Sequence, residues 1–364
     1  MVERYPTLLK ALTLQKPAEP RKPVYNDVRI VEKSVPVLKR GQVLVRINAA
    51  GFNHRELWIR KGQYPGIVFG STLGADGAGL VIASYDDQDE LLNKRVFLVP
   101  TRGWESDPLA PETPFGILGG GVNPPIGSFA SHVVVERDQV IQTPAHLEDV
   151  HAAAWPVGGV TAWRAVVVNA RVSRGHTVLI TGIGGGVALL ALQLCLALGA
   201  RVFVTSGSDA KLARAVALGA AGGVNYRHKD WPKALEKILG GTLLDSVIDS
   251  AGGPISQQVG RVLRLGGHIV LYGMTVAQQV PFTMREVLRN QQLIGSTMGS
   301  KADLQAATNF IAEHRITPVV SRVLDGLENA DEGFELLAHG NHFGKIVVRM
   351  DSDLSHPEGR KAKL

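Results

Sequence analysis

Between Thr177 and Ala200 the chain reads TVLITGIGGGVALLALQLCLALGA. Val178, Leu179 and Ile180 make the short apolar run expected of a strand buried on both faces. Gly182, Gly184, Gly185 and Gly186 then permit a tight turn whose backbone N–H groups can approach an anion, with no Cβ in the way. From Val187 the apolar positions Leu190, Ala191, Leu194 and Leu198 follow helical spacing, and Gly199 marks the stop. A helix starting at such a turn aims its positive end at a phosphate. The pattern predicts a dinucleotide-binding turn built from Gly182, Gly184, Gly185, Gly186 and Val187. Its spacing, Gly182-x-x-Gly185-x-x-Ala188, departs from strict GxGxxG.

The chain beyond Ala200 keeps the matching rhythm. A second strand is expected at Arg201–Thr205 and a helix at Asp209–Leu218, with further strands at Ser246–Ser250, His268–Tyr272 and Leu293–Ser296. Strands alternating with helices predict an α/β fold with a doubly wound parallel sheet. Residues 1–150 differ: valine-rich strands (Gln42–Ile47, Ala78–Ala83, Arg95–Val99, Ser131–Val135) alternate with Gly- and Pro-rich loops, as in a β-rich domain. One such loop, residues 101–125, holds Trp104 and Phe115 and reads as an apolar lid. The expected plan is a β-rich domain over residues 1–150, completed by 297–350. A nucleotide-binding domain spans 151–296, and a polar tail spans 351–364.

Composition sets the class. In 364 residues, 45% are apolar and 20% charged, which suits a two-domain folded protein and argues against disorder. The net charge of +6 is dispersed, with no Arg-rich stripe and no aromatic RNA motif, so nucleic acid is not the expected partner. Cys195 is the only cysteine; it cannot pair internally and suits a small buried core position. The first residues lack the apolar core of a secretory signal. The longest apolar stretch, Val187–Ala200, is too short to span a bilayer. The expected context is soluble, intracellular and away from membranes.

Segments along nearly all of residues 7–350 resemble the medium-chain dehydrogenase/reductase superfamily. They are NAAGFNHRELWIRKGQY (Asn48–Tyr64), GADGAGLV (Gly74–Val81), PVGGVTAWRA (Pro156–Ala165), the glycine turn, and GKIVV (Gly344–Val348). Within it the chain is similar to the quinone-oxidoreductase and enoyl-reductase branch, and to fungal zinc-type alcohol dehydrogenase-like proteins. The resemblance implies a GroES-like catalytic domain, a Rossmann domain, an active site in the cleft between them, a small-molecule substrate and a homodimer. It also implies where zinc would bind: Asn53, Ala75, Asp76 and Val157 fall at the family's Cys, His, Glu and second Cys positions. Two of three ligand positions are aliphatic, the four-cysteine structural lobe is missing, and the histidines offer no replacement spacing. No metal site is expected.

That loss selects chemistry. Oxidising an unactivated alcohol needs a Lewis acid for the developing alkoxide. Reducing a C=C bond conjugated to a carbonyl, or a quinone, spreads charge onto an oxygen that hydrogen bonds and one proton donor can serve. The expected reaction is hydride transfer from NADPH to such a substrate. NADPH is favoured over NADH because Ser206 replaces the acid expected at the end of the second Rossmann strand. The resemblance places Ser206, Lys211 and Tyr226 around the 2′-phosphate. It places Asn53, Thr161, Gly252, Tyr272, Gly273 and Met298, with Gly253, at the nicotinamide end. Asp209 is read as a helix-start residue. Tyr64 takes the position of a tyrosine that enoyl-thioester reductases hold near the substrate carbonyl, and Tyr64 and Asn53 are the candidate catalytic residues. A phenol is protonated at neutral pH and can donate.

The last residues, Ala362-Lys363-Leu364, match the small–basic–Leu pattern of a peroxisomal import signal, read by an import receptor. A peroxisomal location is expected, with the cytoplasm as the alternative. Two other functions are weighed against the reductase. A zinc-type alcohol dehydrogenase is opposed by Ala75 and Val157. A non-catalytic nucleic-acid-binding relative is opposed by the dispersed charge.

Overall fold

The parallel sheet expected in the middle of the chain is present in a computed structural model describing residues 5–277 and 279–350. Two units emerge, one built from the chain up to Val157 and from Val320 onward, the other from Gly158–Val319. The polar tail, with the expected import signal Ala362-Lys363-Leu364, lies outside the described residues.

In the second unit six parallel strands lie in the order Gly222–Asn225, Arg201–Ser206, Thr177–Ile180, Leu244–Asp249, Leu263–Leu271, Gln292–Gly295. In chain order this is 3-2-1-4-5-6, the doubly wound Rossmann arrangement. Thr177–Ile180 is buried along its whole length, as its apolar run requires. The helix after the turn, Gly186–Ala197, carries buried Leu189, Leu190, Ala191, Leu192, Leu194 and Cys195. Burial pushes the Cys195 thiol pKa up, in keeping with a core role. A helix at Pro156–Trp163 widens into a π-helix over Arg164–Asn169, a detail the sequence did not announce.

In the first unit the sheet order is Val320–Asp325, Lys345–Arg349, Gln42–Gly51, Asp76–Ser84, Arg95–Leu98, Val140–Gln142, and His132–Glu136 also pairs with Gln42–Gly51. An antiparallel hairpin, Leu8–Gln15 with Asp27–Ser34, precedes it. All neighbouring pairs in the sheet are antiparallel except Val320–Asp325 with Lys345–Arg349. Helix Asp149–Ala153 packs on the sheet so closely that a Cβ at Gly51 would come within 2.4 Å of the Ala153 carbonyl oxygen, so only glycine fits there.

Three expectations need correction. The first unit runs past residue 150 to Val157, because Asp149–Ala153 seats on its sheet and the Val157 N–H bonds Asp76. The return to it comes at Val320, not 297. Helix Lys301–Glu313, capped by Ser300, belongs to the second unit through the Arg164–Asp303 ion pair and the Trp163–Phe310 ring contact. The lid reading of residues 101–125 fails for Trp104. That ring is only 3% exposed, meets Phe115 edge-on at 5.9 Å, and donates its N–H to the Asp107 carbonyl. Glu112 accepts three backbone N–H bonds from Glu105, Ser106 and Asp107, which hold its carboxyl at about 2, so the loop is folded upon itself.

Candidate active site

The glycine turn sits at the carboxyl end of the first Rossmann strand. The sheet order reverses there, between neighbours Arg201–Ser206 and Leu244–Asp249, which is where open α/β sheets bind ligands. Gly182 (φ +64°) and Gly184 (φ +125°) use backbone conformations that side chains resist. The turn is tied down by Gly182 N–H to Thr205 Oγ1 (3.3 Å) and Ile183 N–H to the Thr205 carbonyl (2.8 Å). Gly185 starts the helix without a side-chain cap, so Gly186 and Val187 open a helix whose first N–H groups suit a pyrophosphate. These residues fit a bound dinucleotide.

Of the residues expected at the 2′-phosphate, Lys211 lies beside Gly184, and Tyr226 lies beside Gly207 together with Arg227. A Cβ on Gly184 would fall 2.8 Å from Lys211 Cδ and 3.3 Å from its Nζ; one on Gly207 would fall 2.8 Å from the Tyr226 hydroxyl and 2.9 Å from Arg227 Nε. Burial, then the Arg214 charge, holds the Lys211 pKa below the ordinary lysine value. Ser206 closes the second Rossmann strand. Its buried hydroxyl donates to the Ile183 carbonyl and accepts from Ser208 N–H, both at 3.3 Å. A neutral side chain thus stands at the strand end where an acid is expected in an NAD-specific site. Asp209 is the first residue of its helix, as expected; Ser208 caps it, accepting from Lys211 N–H, while Asp209 accepts from Asn225 Nδ2 at 2.8 Å.

At the other end, Thr161 and Met298 come together, hydroxyl to sulfur, at 3.7 Å, with Met298 held at φ +46°. Gly252 and Gly253 form a turn at positive φ beside Tyr272 and Gly273. Asp249, which the sequence did not single out, organises this end. Its carboxyl accepts from Thr181 Oγ1 (2.5 Å) and Gly252 N–H (2.7 Å), and its carbonyl from Tyr272 N–H (2.9 Å). Burial raises the Asp249 pKa against those bonds, and burial raises the Tyr272 phenol as well. The available signal was a lone acid closing the apolar strand of SVIDS, just before AGG.

The first unit assembles a second cluster. Register places Val347 opposite Gly51 and Asp76 opposite Gly51, and Phe52 N–H bonds the Ile346 carbonyl at 2.9 Å. Extending those ladders by two residues sets Lys345 beside Asn53. Lys345 Nζ donates to Asn53 Oδ1 (2.6 Å) and Asp76 Oδ2 (2.9 Å); Asn53 Nδ2 donates to the same Asp76 oxygen at 2.9 Å. Asp76 Oδ1 accepts the Val157 N–H at 2.7 Å. Asp76 is fully buried and Lys345 nearly so. Asn53 also precedes helix His54–Arg60 and gives its backbone N–H to Glu56 Oε2 at 2.8 Å. Glu56 is fully buried, which raises its pKa against the pull of Arg55.

Tyr64 follows this helix. Its ring lies over the Arg55 guanidinium at 4.9 Å, whereas Trp58 pairs with Lys61. Arg55 in turn donates to the carbonyls of Leu118 (2.7 Å) and Gly119 (2.8 Å) and to Glu56. Part of the His54 surface is open, yet the surrounding protein, then His342, Lys345 and Lys61, push its pKa down to about 4, so the imidazole is neutral at pH 7.

The four positions that resemblance assigns to zinc therefore do converge: Asn53 and Val157 both bond Asp76, and Ala75 precedes it. They do not fit the metal. Ala75 and Val157 offer no donor, and Asp76 and Asn53 already hold an ammonium. Among the described residues no group of three or more His, Cys, Asp or Glu could hold a metal ion, and no helix is long and apolar enough to cross a membrane.

Comparison with known proteins agrees with this layout. A family model described as "Alcohol dehydrogenase GroES-like domain" matches residues 39–145, and one described as "Zinc-binding dehydrogenase" matches residues 186–313. The chain is similar to the zinc-type alcohol dehydrogenase-like protein YogA of Leptosphaeria maculans. They are 39% identical over 343 residues, covering 90% of this chain and 96% of the relative. A zinc-type alcohol dehydrogenase-like protein of Schizosaccharomyces pombe is 30% identical over the same shares. A crystal structure of an NAD-dependent alcohol dehydrogenase superposes with a TM-score of 0.82 at 33% identity, covering 94% of this chain and all of the other. With a GroES-like domain, a Rossmann sheet and these relatives, the chain is an oxidoreductase belonging to the medium-chain dehydrogenase/reductase superfamily.

Proposed function

We propose that this protein is an NADPH-dependent reductase that works without zinc. Its substrate would be an activated C=C bond, in an enone, enal or enoyl thioester, or a quinone. The observation that carries the reading is the Asn53–Asp76–Lys345 cluster, in which an ammonium and an amide stand among the positions resemblance assigns to metal ligands. A site of this kind has hydrogen bonds to offer and no Lewis acid, which suits charge delocalised on an enolate oxygen better than a localised alkoxide.

Bound reduced nicotinamide supplies a hydride. The chain's own residues do the rest. The backbone N–H groups of the turn Gly182–Val187 would hold the pyrophosphate. Lys211, Tyr226 and Arg227 would hold the 2′-phosphate, and Ser206 would add no opposing charge. Thr161, Gly252, Tyr272, Gly273 and Met298 shape the nicotinamide end, with Asp249 holding Gly252 and Tyr272 in place. Asn53 contributes an amide N–H, and Tyr64, whose hydroxyl has no hydrogen-bond partner among the described residues, donates to the substrate oxygen as it gains charge.

The test is to follow NADPH oxidation across quinones, enals, enones and enoyl-CoA esters, with metal analysis of the same preparation. Turnover without stoichiometric metal supports the proposal. A second reading, alcohol oxidation with NAD, draws on the name of the 33%-identical structure. Chelator-sensitive alcohol oxidation with no NADPH-dependent reduction would establish it instead.

Two further proposals concern partners. The strand Gln292–Gly295 lies at the edge of the Rossmann sheet, preceded by exposed Met284, Val287 and Leu288; a second copy of the chain is proposed to cover this edge. Ala362-Lys363-Leu364 is proposed to address the protein to peroxisomes.

A further inference from the structure

We infer that the Lys345 ammonium is the resident cation of this cluster. It acts as a positioning residue that locks the Asn53 side-chain amide in one orientation. Lysine can only donate and an ionised aspartate can only accept. Lys345 Nζ, 2.6 Å from Asn53, therefore requires the amide oxygen on its side; Asp76 Oδ2, 2.9 Å from Asn53, requires the amide nitrogen on the other. Turning the amide over would set NH2 against ammonium and C=O against carboxylate, two repulsions at once. Lys345 and Asp76 close the third side at 2.9 Å, and Val157 N–H holds the far oxygen of Asp76. Three mutually bonded groups, of which Lys345 and Asp76 are almost wholly buried and Asn53 half-buried, have one low-energy arrangement.

The lock leaves Asn53 one N–H, on Nδ2, whose direction is set by the other two bonds. Glu56 fixes the backbone end of the same residue. A side-chain amide free to flip presents a donor or an acceptor; this one presents a donor only. The misfit to zinc comes first from Ala75 and Val157, which offer no donor; the ammonium held by Asp76 Oδ2 and Asn53 Oδ1 adds to it. The lock deepens the reductase reading, on which the use of that N–H toward cofactor or substrate rests.

The lock has a readout independent of turnover. In ¹⁵N spectra of the full-length protein, the Asn53 side-chain NH2 pair, assigned by its loss in Asn53→Ala, should exchange slowly with water. Lys345→Gln should speed that exchange at least about tenfold, and Lys345→Arg should preserve it, both variants being checked for folding by thermal melting. In kinetics, Lys345→Gln should lower kcat/KM on the order of ten- to a hundredfold, as expected when a positioned group loosens. It should add nothing further in an Asn53→Ala background, because the two act as one unit. Unchanged Asn53 exchange in Lys345→Gln, losses that multiply in the double variant, or stoichiometric zinc retained by the wild type would each overturn the lock. Wild type that shows the slow exchange but reduces no activated alkene or quinone would overturn the reaction proposed above and leave the lock supported.

Discussion

Lys211 lies across Gly184: a methyl group on that glycine would meet the lysine stem at 2.8 Å. The contact brings a cation from the helix Asp209–Ala217 over the glycine turn, while Ser206, at the end of the preceding strand, adds no charge. Lys211→Ala should weaken NADPH about five- to tenfold and leave NADH within about twofold, the scale of one partly exposed charge-assisted contact. NADPH preference needs Lys211 protonated and the 2′-phosphate fully ionised, with its second pKa near ~6. Since the Lys211 pKa is lowered by burial and by Arg214, the preference should decline on the alkaline side sooner than for an ordinary lysine, and also below about pH 6. Titrating the ratio of the two dissociation constants against pH checks both limbs; a flat ratio contradicts the assignment.

Asp249 holds the ends of two strands and the Gly252 turn through buried bonds. Asp249→Ala should cost about 2–4 kcal/mol of unfolding free energy, because the Thr181 hydroxyl and the Gly252 N–H lose their acceptor. Cofactor affinity should fall with it. Asp249→Asn, which keeps one acceptor oxygen, should cost less. Denaturant unfolding with an unchanged midpoint in Asp249→Ala would show that these bonds do not matter.

Tyr64→Phe keeps the ring stacked on Arg55 and removes only the hydroxyl. If that hydroxyl donates to the substrate, kcat should drop about a hundredfold while NADPH affinity is unchanged. Full turnover with every active substrate removes Tyr64 from the mechanism.

The edge of the Rossmann sheet offers Leu288 at 76% exposure and Val287 at 49%. Leu288→Glu should raise the dimer dissociation constant at least about tenfold by burying a charge in the proposed contact. Light scattering over a dilution series reads it; a wild type that is monomeric throughout rules out the dimer.

Removing Leu364 should abolish import of a fluorescent fusion into peroxisomes, since receptors of this kind read the terminal tripeptide. Equal distribution of both forms in the cytosol would leave the tripeptide without a role.

Local rules were enough to read much of this molecule from its sequence. The apolar run Val178–Ile180, the glycines after it and the helix to Leu198 are contiguous, so periodicity and glycine chemistry determined strand, turn and helix together. The absence of zinc ligands at Ala75 and Val157 was equally visible, because an aliphatic side chain lacks a donor wherever it folds. Lys345 was a different matter. It stood in the quoted GKIVV motif as one more charged residue. Only the strand register, pairing Val347 with Gly51 and Asp76 with Gly51, carries it across nearly three hundred residues to Asn53. Asp249 and Ser206 needed tertiary structure for the same reason. Whether a polar group serves a ligand or holds the fold depends on which partners the packed chain brings within hydrogen-bond reach, and for these residues those partners lie far away in sequence.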